Sequence, residues 1–384
     1  MARSAARRWL GNLVALAVAG LVCLVLGEVA ARVYFDQTSK GGREPSLEGT
    51  VGEYDELLGA RLLPNATATF GGPEFETTIR TNAHRLRESE ETPYERAPGV
   101  RRILLCGDSF TFGHGVDEAD RYGERLAELL GNVDVINMGV WGTGTDQQLL
   151  LYRDEGVKYG PDLVILAYFV ENILRNGAST RFIAGGRSAS KPKFVIENGE
   201  LVLTNVPVPA PGTATEESTA EMERWKEIEE RQGVVSFPFK SFLREHSALY
   251  KFAHDNFAGL LHRAVEGEVD AYPEYVDGRS EWEVTKALIR TFRDEAEENG
   301  SEFLLVIVPD GRSMEPGTIS DTPYQKLEQL CRAESIPLLD PLPEFRAASE
   351  QGEKLYYRYD AHWTKAGHAL VADLIAGRLR AEGW

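Results

Sequence analysis

Two distant stretches of the chain carry the side-chain types needed for acyl transfer through a serine. The tripeptide Gly107-Asp108-Ser109 follows an apolar run that ends at Cys106, and Asp360 and His362 lie about 250 residues later, two positions apart. A serine hydroxyl becomes a nucleophile when a base takes its proton, and a carboxylate beside a histidine can orient that base. Ser109 is therefore the candidate nucleophile, His362 the candidate base and Asp360 its orienter.

Other roles are open to each of these residues. A Gly-Asp-Ser triplet is a weak signal by itself, since Ser109 could simply cap a helix, and Asp108 is expected to brace the turn. His368 and His114 are rival bases. His362 is preferred because it precedes the predicted C-terminal helix and is freer to face the site.

Two further turns could supply donors to a developing oxyanion. Gly139 follows the second predicted strand and Asn172 follows the third, so the Gly139 N–H and the Asn172 amide are candidates beside the Ser109 N–H. The alternatives are a plain strand-to-helix turn at Gly139 and an Asx turn at Asn172. No lysine follows the glycines at 142–144, which argues against a phosphate loop, and no histidine pair has helical ligand spacing. We therefore expect no cofactor and no metal.

The elements that must position these residues alternate along the chain. The sequence predicts strands in the apolar runs and helices in the segments between them. The strands are 102–106, 133–137, 162–168, 303–308 and 336–339. The helices are 121–130, 145–159, 281–298, 324–334 and 365–380. This alternation predicts an α/β fold with one doubly wound parallel sheet and helices on both faces. Its carboxyl edge is where ligands bind in such folds.

Two segments do not follow this rhythm. Residues 36–100 are predicted to be an irregular lead-in with short edge strands near Gly71-Gly72-Pro73, ahead of a domain over 101–384. Residues 176–280 contain a Pro-rich acidic start and a later aromatic stretch at 237–257, and predict an insertion. It is either a cap over the site or a surface loop.

The first 35 residues predict a membrane anchor. An apolar, charge-free run of about 17 residues at 10–26 follows Arg3, Arg7 and Arg8, which by the positive-inside rule orients the N-terminus to the cytoplasm. A cleavable signal peptide is the alternative. The rest of the chain would then lie outside a bacterial inner membrane, as a single-pass protein with a periplasmic or extracellular domain.

Composition excludes some partners. The formal net charge of −18 repels phosphate backbones, so nucleic acid is not expected as a partner. The cysteines Cys23, Cys106 and Cys331 form no spacing pattern, and a Cys106–Cys331 disulfide or chance buried thiols are both open.

The four blocks Gly107-Asp108-Ser109, Gly139, Asn172 and Asp360 with His362 occur in the order found in the SGNH, or GDSL-like, hydrolase superfamily, which this chain resembles over about 101–176 and 300–380. The resemblance implies a three-layer α/β/α sandwich with a short parallel five-stranded sheet of flavodoxin-like type. It implies a triad of Ser109, His362 and Asp360, with Ser109, Gly139 and Asn172 in the oxyanion hole.

The chain departs from the superfamily pattern at two blocks. The third usually reads Gly-x-Asn-Asp, but here Ile173 follows Asn172; in the last, Asp and His are two rather than three apart, with Trp363 next. The shorter spacing is similar to bacterial alginate-acetylation proteins. The resemblance therefore implies an esterase for O-acyl, and in particular O-acetyl, groups of a surface or secreted glycan. An O-acetyltransferase with the same triad and a non-catalytic anchored glycan-binding or assembly protein are the alternatives.

Overall fold

The structure is a computed structural model, and it describes residues 16, 18–34, 46–72, 74–183, 187–213, 221, 247–250, 270–316, 319–358 and 360–384. The chain divides into two compact units, one of Met1–Arg43 with Glu230–Gly267 and a larger one of Glu44–Glu229 with Glu268–Trp384. All candidate site residues belong to the larger unit.

The larger unit is built from strands and helices in alternation. Its strands are β1 Ser46–Glu48, β2 Gly52–Glu53, β3 Arg61–Leu62, β4 Thr67–Gly71, β5 Glu76–Arg80, β6 Arg101–Gly107, β7 Val133–Asn137, β8 Leu163–Phe169, β9 Thr180–Ile183, β10 Arg187–Ser190, β11 Lys193–Glu197, β12 Glu200–Thr204, β13 Glu302–Val308 and β14 Leu338–Leu339. Its described helices are α1 Ser109–Phe112, α2 Tyr122–Leu130, α3 Thr145–Asp154, α4 Asn172–Asn176, α5 Ser280–Glu298, α6 Thr322–Glu334, α7 Leu342–Glu350 and α8 Lys365–Ala381.

A five-stranded parallel sheet forms the centre, in the order β14-β13-β8-β6-β7. Numbered along the chain within this sheet, the order is 2-1-3-4-5, which is the flavodoxin-like arrangement. All seven residues of β8 are buried, as are six of the seven in β13, because helices cover both faces. The predicted α/β fold with a five-stranded parallel sheet is confirmed.

Helices lie on both faces of this sheet because the chain reverses direction across it. In the sheet, β7 lies on one side of β6 and β8 lies on the other. The β6–β7 and β7–β8 connections therefore cross the sheet in opposite directions, and right-handed crossovers put α2 and α3 on opposite faces. Helix α8 packs against α2, and α5 packs against α3. Both crossovers leave the carboxyl ends of β6, β7 and β8 at one edge.

The segment before β6 has more regular structure than the sequence predicts. Strands β1, β4 and β5 form an antiparallel sheet and β2 pairs with β3. Val51, Leu62, Ala68 and Ile79 form a small apolar cluster with Phe112 of α1. The lead-in therefore packs directly against the helix that begins with the candidate nucleophile.

The insertion begins with two hairpins, β9–β10 and β11–β12, which lie outside the central sheet. Lys191 anchors them, because its fully buried ammonium group pairs with the fully buried Asp146 of α3 and donates to the carbonyl of Ala178 at 2.9 Å. The predicted aromatic stretch 237–257 lies outside the described residues except for 247–250.

The smaller unit contains the N-terminal helix, described at residue 16 and over 18–34, with apolar side chains such as Leu21 and Leu26 exposed. Glu28 accepts hydrogen bonds from the backbone N–H groups of Ala248 and Leu249, both at 3.0 Å. Within the part of the chain that the structure describes, no helix combines the length and apolar character needed to cross a membrane. Residues 10–15 and 17 of the predicted anchor fall outside that part.

Candidate active site

The nucleophile turn follows from two residues that precede Ser109. A Cβ atom on Gly107 would lie 2.0 Å from Oγ1 of Thr111, so only glycine allows β6 to turn directly into α1. Asp108 then caps this helix, and its Oδ1 accepts from the N–H of Phe110 at 3.1 Å. Ser109 is the first residue of the helix, so its own N–H has no intrahelical partner and remains available as a donor.

The structure brings the three predicted catalytic side chains together. Oγ of Ser109 lies 2.7 Å from Nε2 of His362, and Nδ1 of His362 lies 2.5 Å from Oδ1 of Asp360. Ser109 and Trp363 are buried, whereas His362 and Asp360 are partly exposed. The hydroxyl, imidazole and carboxylate thus form one continuous hydrogen-bonded chain that opens to solvent.

A second histidine holds the other oxygen of the same carboxylate. Nε2 of His114 lies 3.3 Å from Oδ2 of Asp360, and the His114 and His362 rings are 4.2 Å apart. Burial acts to raise the pKa of Asp360, but the hydrogen bonds from the two imidazoles outweigh it and hold the pKa well below its usual range. Burial lowers the pKa of His114. The sequence treats His114 as a rival base, but the structure makes it a partner of the orienting carboxylate.

His368, the other rival base, is directed into the protein core. It is buried on α8, where its ring stacks on Tyr122 at 6.1 Å and meets Trp363 edge-on at 5.5 Å. Burial, with repulsion from Arg87 and Arg121, lowers the pKa of His368 to about 3. It has no hydrogen-bond contact with Ser109, so the preference for His362 agrees with the geometry.

Asn172, the predicted oxyanion donor, has a buried side-chain amide with one of its two ends unpaired. It is fully buried at the start of α4, and its Oδ1 accepts from Nη1 of Arg175 at 2.8 Å. Its Nδ2 is buried with no hydrogen-bond partner. Buried donors are rarely left unpaired in native proteins, and one that is unpaired beside a nucleophile suits a charge that appears only during reaction.

The Gly139 N–H, which the sequence predicts as an oxyanion donor, has a hydrogen-bond partner within the protein. That N–H donates to Oδ1 of Asn137 at 2.9 Å, and the same side chain donates from Nδ2 to the carbonyl of Thr111 at 2.7 Å. A Cβ on Gly139 would lie 2.2 Å from the backbone nitrogen of Phe112. Glycine is required here for close packing against α1, while the donors left for the oxyanion are the Ser109 N–H and Asn172.

Two buried arginines that the sequence analysis did not single out support the site. Arg175 donates to Oδ2 of Asp108 at 3.0 Å as well as to Asn172. Arg87 of the lead-in donates to the carbonyls of Phe112 at 2.8 Å and Val116 at 2.7 Å, so it holds the loop that carries His114. In the sequence, the role of Arg175 is indicated only by its position three residues after Asn172. No sequence pattern indicates the role of Arg87.

His114, Asp360 and His362 also each offer a ligand atom within 4.8 Å of one another, a set that could hold a transition-metal ion. The absence of a resident metal stays a prediction from the sequence.

A groove of about 310 Å³ lies next to the turn after β7. Tyr54, Trp141 and Arg181 line it, and Trp141 packs edge-on against Phe112 of α1 at 4.6 Å. Nε of Arg181 is buried without a hydrogen-bond partner, and among the described residues no carboxylate pairs with this guanidinium. Aromatic side chains beside a cation offer contacts to an amphipathic polar molecule such as a sugar.

The hydrogen-bonded Ser109, His362 and Asp360 lie on a flavodoxin-like α/β sheet and form a candidate serine-nucleophile site. Residues 257–384 match a family model described as the SGNH hydrolase-like domain of the acetyltransferase AlgX. That segment contains Asp360 and His362 but not Ser109.

A curated relative, an alginate O-acetylase AlgJ of Pseudomonas syringae pv. tomato, is 31% identical over 101 residues, which cover 24% of this chain and 26% of the relative. The chain thus matches about a quarter of that relative's length. The resemblance to SGNH-type acetylesterases and acetyltransferases predicted from the sequence is confirmed by these matches.

The solved structures to which this chain is similar are more distant in sequence. The acetyl xylan esterase AlAXEase shares 14% identity and a TM-score of 0.37, covering 72% of this chain and 99% of its own. A lipase/acylhydrolase from Enterococcus faecalis shares 15% identity and a TM-score of 0.35, covering 74% and 97%.

Proposed function

We propose that this chain is an extracytoplasmic SGNH-type serine esterase that removes O-acyl groups, in the first place O-acetyl groups, from a cell-surface or secreted glycan. The single observation that carries this proposal is the hydrogen-bonded chain from Ser109 through His362 to Asp360. The glycan is inferred from the resemblance to alginate-acetylating proteins, and the groove lined by Tyr54, Trp141 and Arg181 offers aromatic and cationic contacts that suit a sugar.

The proposed reaction begins with attack of the Ser109 hydroxyl on the ester carbonyl. Nε2 of His362 takes the hydroxyl proton as the new carbon–oxygen bond forms, and Asp360 stabilises the resulting imidazolium. His362 then gives this proton to the departing sugar oxygen, which leaves an acetyl group on Ser109. Water, activated by the same imidazole, releases acetate and restores the free serine.

The tetrahedral intermediates place a negative charge on the former carbonyl oxygen. In this proposal the Ser109 N–H and Nδ2 of Asn172 donate to that oxygen, and both are available because neither has another partner within the structure described. Loss of one oxyanion donor costs on the order of 3 kcal/mol of transition-state stabilisation.

A second candidate function is transfer of the acetyl group to a sugar hydroxyl instead of water. The matches to an acetyltransferase domain and to an O-acetylase favour it. The steps up to the acetyl-enzyme are the same, so the two functions differ only in whether an acceptor sugar occupies the site when the acetyl group leaves.

The proposed location is the outer side of a bacterial inner membrane, with residues 10–26 as a retained anchor. Support comes from the sequence, in which Arg3, Arg7 and Arg8 precede the apolar run. Protease added to intact spheroplasts should remove the domain beyond about residue 36. A catalytic domain that stays protected would rule out this orientation.

Hydrolysis of chromogenic acetyl and longer acyl esters, with and without a sugar acceptor, tests the two functions against each other. Acetate release without acceptor supports the esterase, and acetylated sugar supports the transferase. Ser109→Ala should abolish both reactions and block labelling by a fluorophosphonate, with an unchanged circular dichroism spectrum. Undiminished turnover by this variant would end the serine mechanism, and a parent protein that neither reacts with esters nor takes the label would favour the non-catalytic glycan-binding role.

A further inference from the structure

The guanidinium of Arg175 lies between the turn that carries the nucleophile and the turn that carries Asn172. Its Nη1 donates to Oδ2 of Asp108 at 3.0 Å and to Oδ1 of Asn172 at 2.8 Å. Its Nη2 donates to Oε1 of Glu171 at 3.0 Å. Asp108 follows β6 and Asn172 follows β8, so one side chain links the carboxyl ends of two neighbouring strands.

The contact with Arg175 decides which end of the Asn172 amide faces the site. A guanidinium has N–H donors and no acceptor, so only the amide oxygen can face it. The Nδ2 group must then be directed away from Arg175, and there it has no partner. A buried unpaired donor is unfavourable, so the contact with Arg175 is what holds the amide in this orientation.

Burial makes these contacts strong. Asp108 is fully buried and only a small part of Arg175 reaches solvent. Burial acts to lower the pKa of Arg175, but the carboxylates of Glu171 and Asp108 outweigh it and raise the pKa, so the guanidinium stays charged. Hydrogen bonds from a charged donor are shorter and stronger than neutral ones, which suits a group that must fix a neighbour's geometry.

We propose that Arg175 is a positioning residue for acyl transfer, which holds the Asn172 amide with Nδ2 towards the oxyanion and fixes its spacing from the Ser109 N–H. The inference rests on the proposed function. Arg175 does not itself touch the reacting atoms; it acts through Asn172.

A double-mutant cycle tests this role. In steady-state hydrolysis of p-nitrophenyl acetate, Asn172→Ala should lower kcat about 100-fold. Arg175→Met should lower kcat about 10- to 100-fold with KM within about twofold, because the oxyanion donor acts in the transition state rather than in binding. In the double variant the loss should not exceed that of Asn172→Ala alone, since no amide remains to be oriented. Losses that multiply, or an Arg175→Met variant with parental kcat, would overturn the proposal.

Stability is measured alongside because Arg175→Met also leaves Asp108 buried without its cation. Arg175→Lys keeps that charge, and its single ammonium group should recover much of the melting temperature while kcat stays reduced. The cycle can therefore be run with lysine if the methionine variant does not fold. Parental kcat in Arg175→Lys, or a loss that persists in the Asn172→Ala background, would also overturn the role.

Ser109→Ala, assayed in the same series, separates this inference from the proposed function. If that variant retains turnover, the serine mechanism fails regardless of Arg175. If it is inactive and the cycle is additive, the serine mechanism stands and only the positioning role is lost.

Discussion

Asp360 and His362 can face each other across one residue because Ala361 adopts a left-handed backbone conformation with φ of 65°. That conformation costs an alanine about 1–2 kcal/mol. Hydrogen bonds around the turn hold it, from the Tyr357 N–H to the His362 carbonyl at 2.8 Å and from the Ala361 N–H to the Tyr357 carbonyl at 3.2 Å. The Asp-x-His spacing is thus a strained turn that aims two side chains at each other.

The two histidines of the C-terminal segment should respond differently to removal. His362→Ala is expected to lower kcat by about 10³-fold or more with little change in melting temperature, because a triad member is lost from a partly exposed position. His368→Ala should lower the melting temperature and leave kcat within a few-fold, because it opens a cavity beneath α8. A larger loss of kcat in the His368 variant would reassign the base.

His368 should also make stability depend on pH. Its folded pKa is about 3, below the ordinary value of 6.5, so between these values the unfolded chain binds a proton that the folded protein does not. The free energy of unfolding should therefore fall as pH falls, by about 1 kcal/mol per unit from this residue. Urea unfolding of the parent and of His368→Leu at pH 7 and pH 5 measures the difference between their slopes. Equal slopes would show that His368 is not held neutral.

Among the structural elements, the lead-in contacts a histidine of the candidate active site. Phe70 and Phe75 pack against His114 at ring distances of 4.7 and 5.5 Å, and the guanidinium of Arg87 lies 4.7 Å above the Phe112 ring. Burial, with repulsion from Arg121, lowers the pKa of Arg87 to about 9, yet its donors satisfy three carbonyls of the loop after α1. The lead-in thus positions the imidazole ring of His114.

Arg87→Met should therefore reduce activity at a distance from the chemistry. Loss of its donors frees the loop that carries His114, and we expect kcat to fall about tenfold or more together with the melting temperature. Arg85→Met is the matched control, since Arg85 lies in the same segment but is partly exposed and pairs with Glu53. If both variants behave alike in an ester hydrolysis assay, the loop does not depend on Arg87.

For the protein as a whole, the division into two compact units predicts which residues can be deleted without loss of the larger unit's fold. A protein that starts at Glu44, with Glu230–Gly267 replaced by a Gly/Ser linker, should fold and hydrolyse a small acetyl ester like the parent, because all the proposed catalytic residues lie in the larger unit. If the insertion is a cap, this protein should lose activity on the glycan. Parental activity on both substrates would show that the removed part is not a cap.

A larger deletion should fail for a physical reason. Replacement of residues 181–278 removes Lys191, the cation that pairs with the carboxylate of Asp146, and loss of this partner is destabilising. Circular dichroism and thermal melting of the two deletions distinguish them. A well-folded protein without residues 181–278 would mean that the Lys191–Asp146 pair does not anchor the hairpins.

The central parallel sheet could be predicted from the sequence alone. Continuous apolar runs such as 163–169 are buried on both faces in any parallel sheet, and a residue at a strand's carboxyl end must lie at the shared edge. Ser109 and Asn172 could therefore be predicted to lie at the same edge, because each follows a strand of the central sheet.

The hydrogen-bond partners of the donors and carboxylates could be seen only in the folded structure. The Gly139 N–H is taken by Asn137, His114 joins Asp360 across 246 positions, and Arg175 links two turns. A hydrogen bond depends on side-chain directions to within tens of degrees, and no sequence spacing encodes which of several nearby partners a donor meets. Those choices are made when the lead-in, the hairpins and the strand ends pack together.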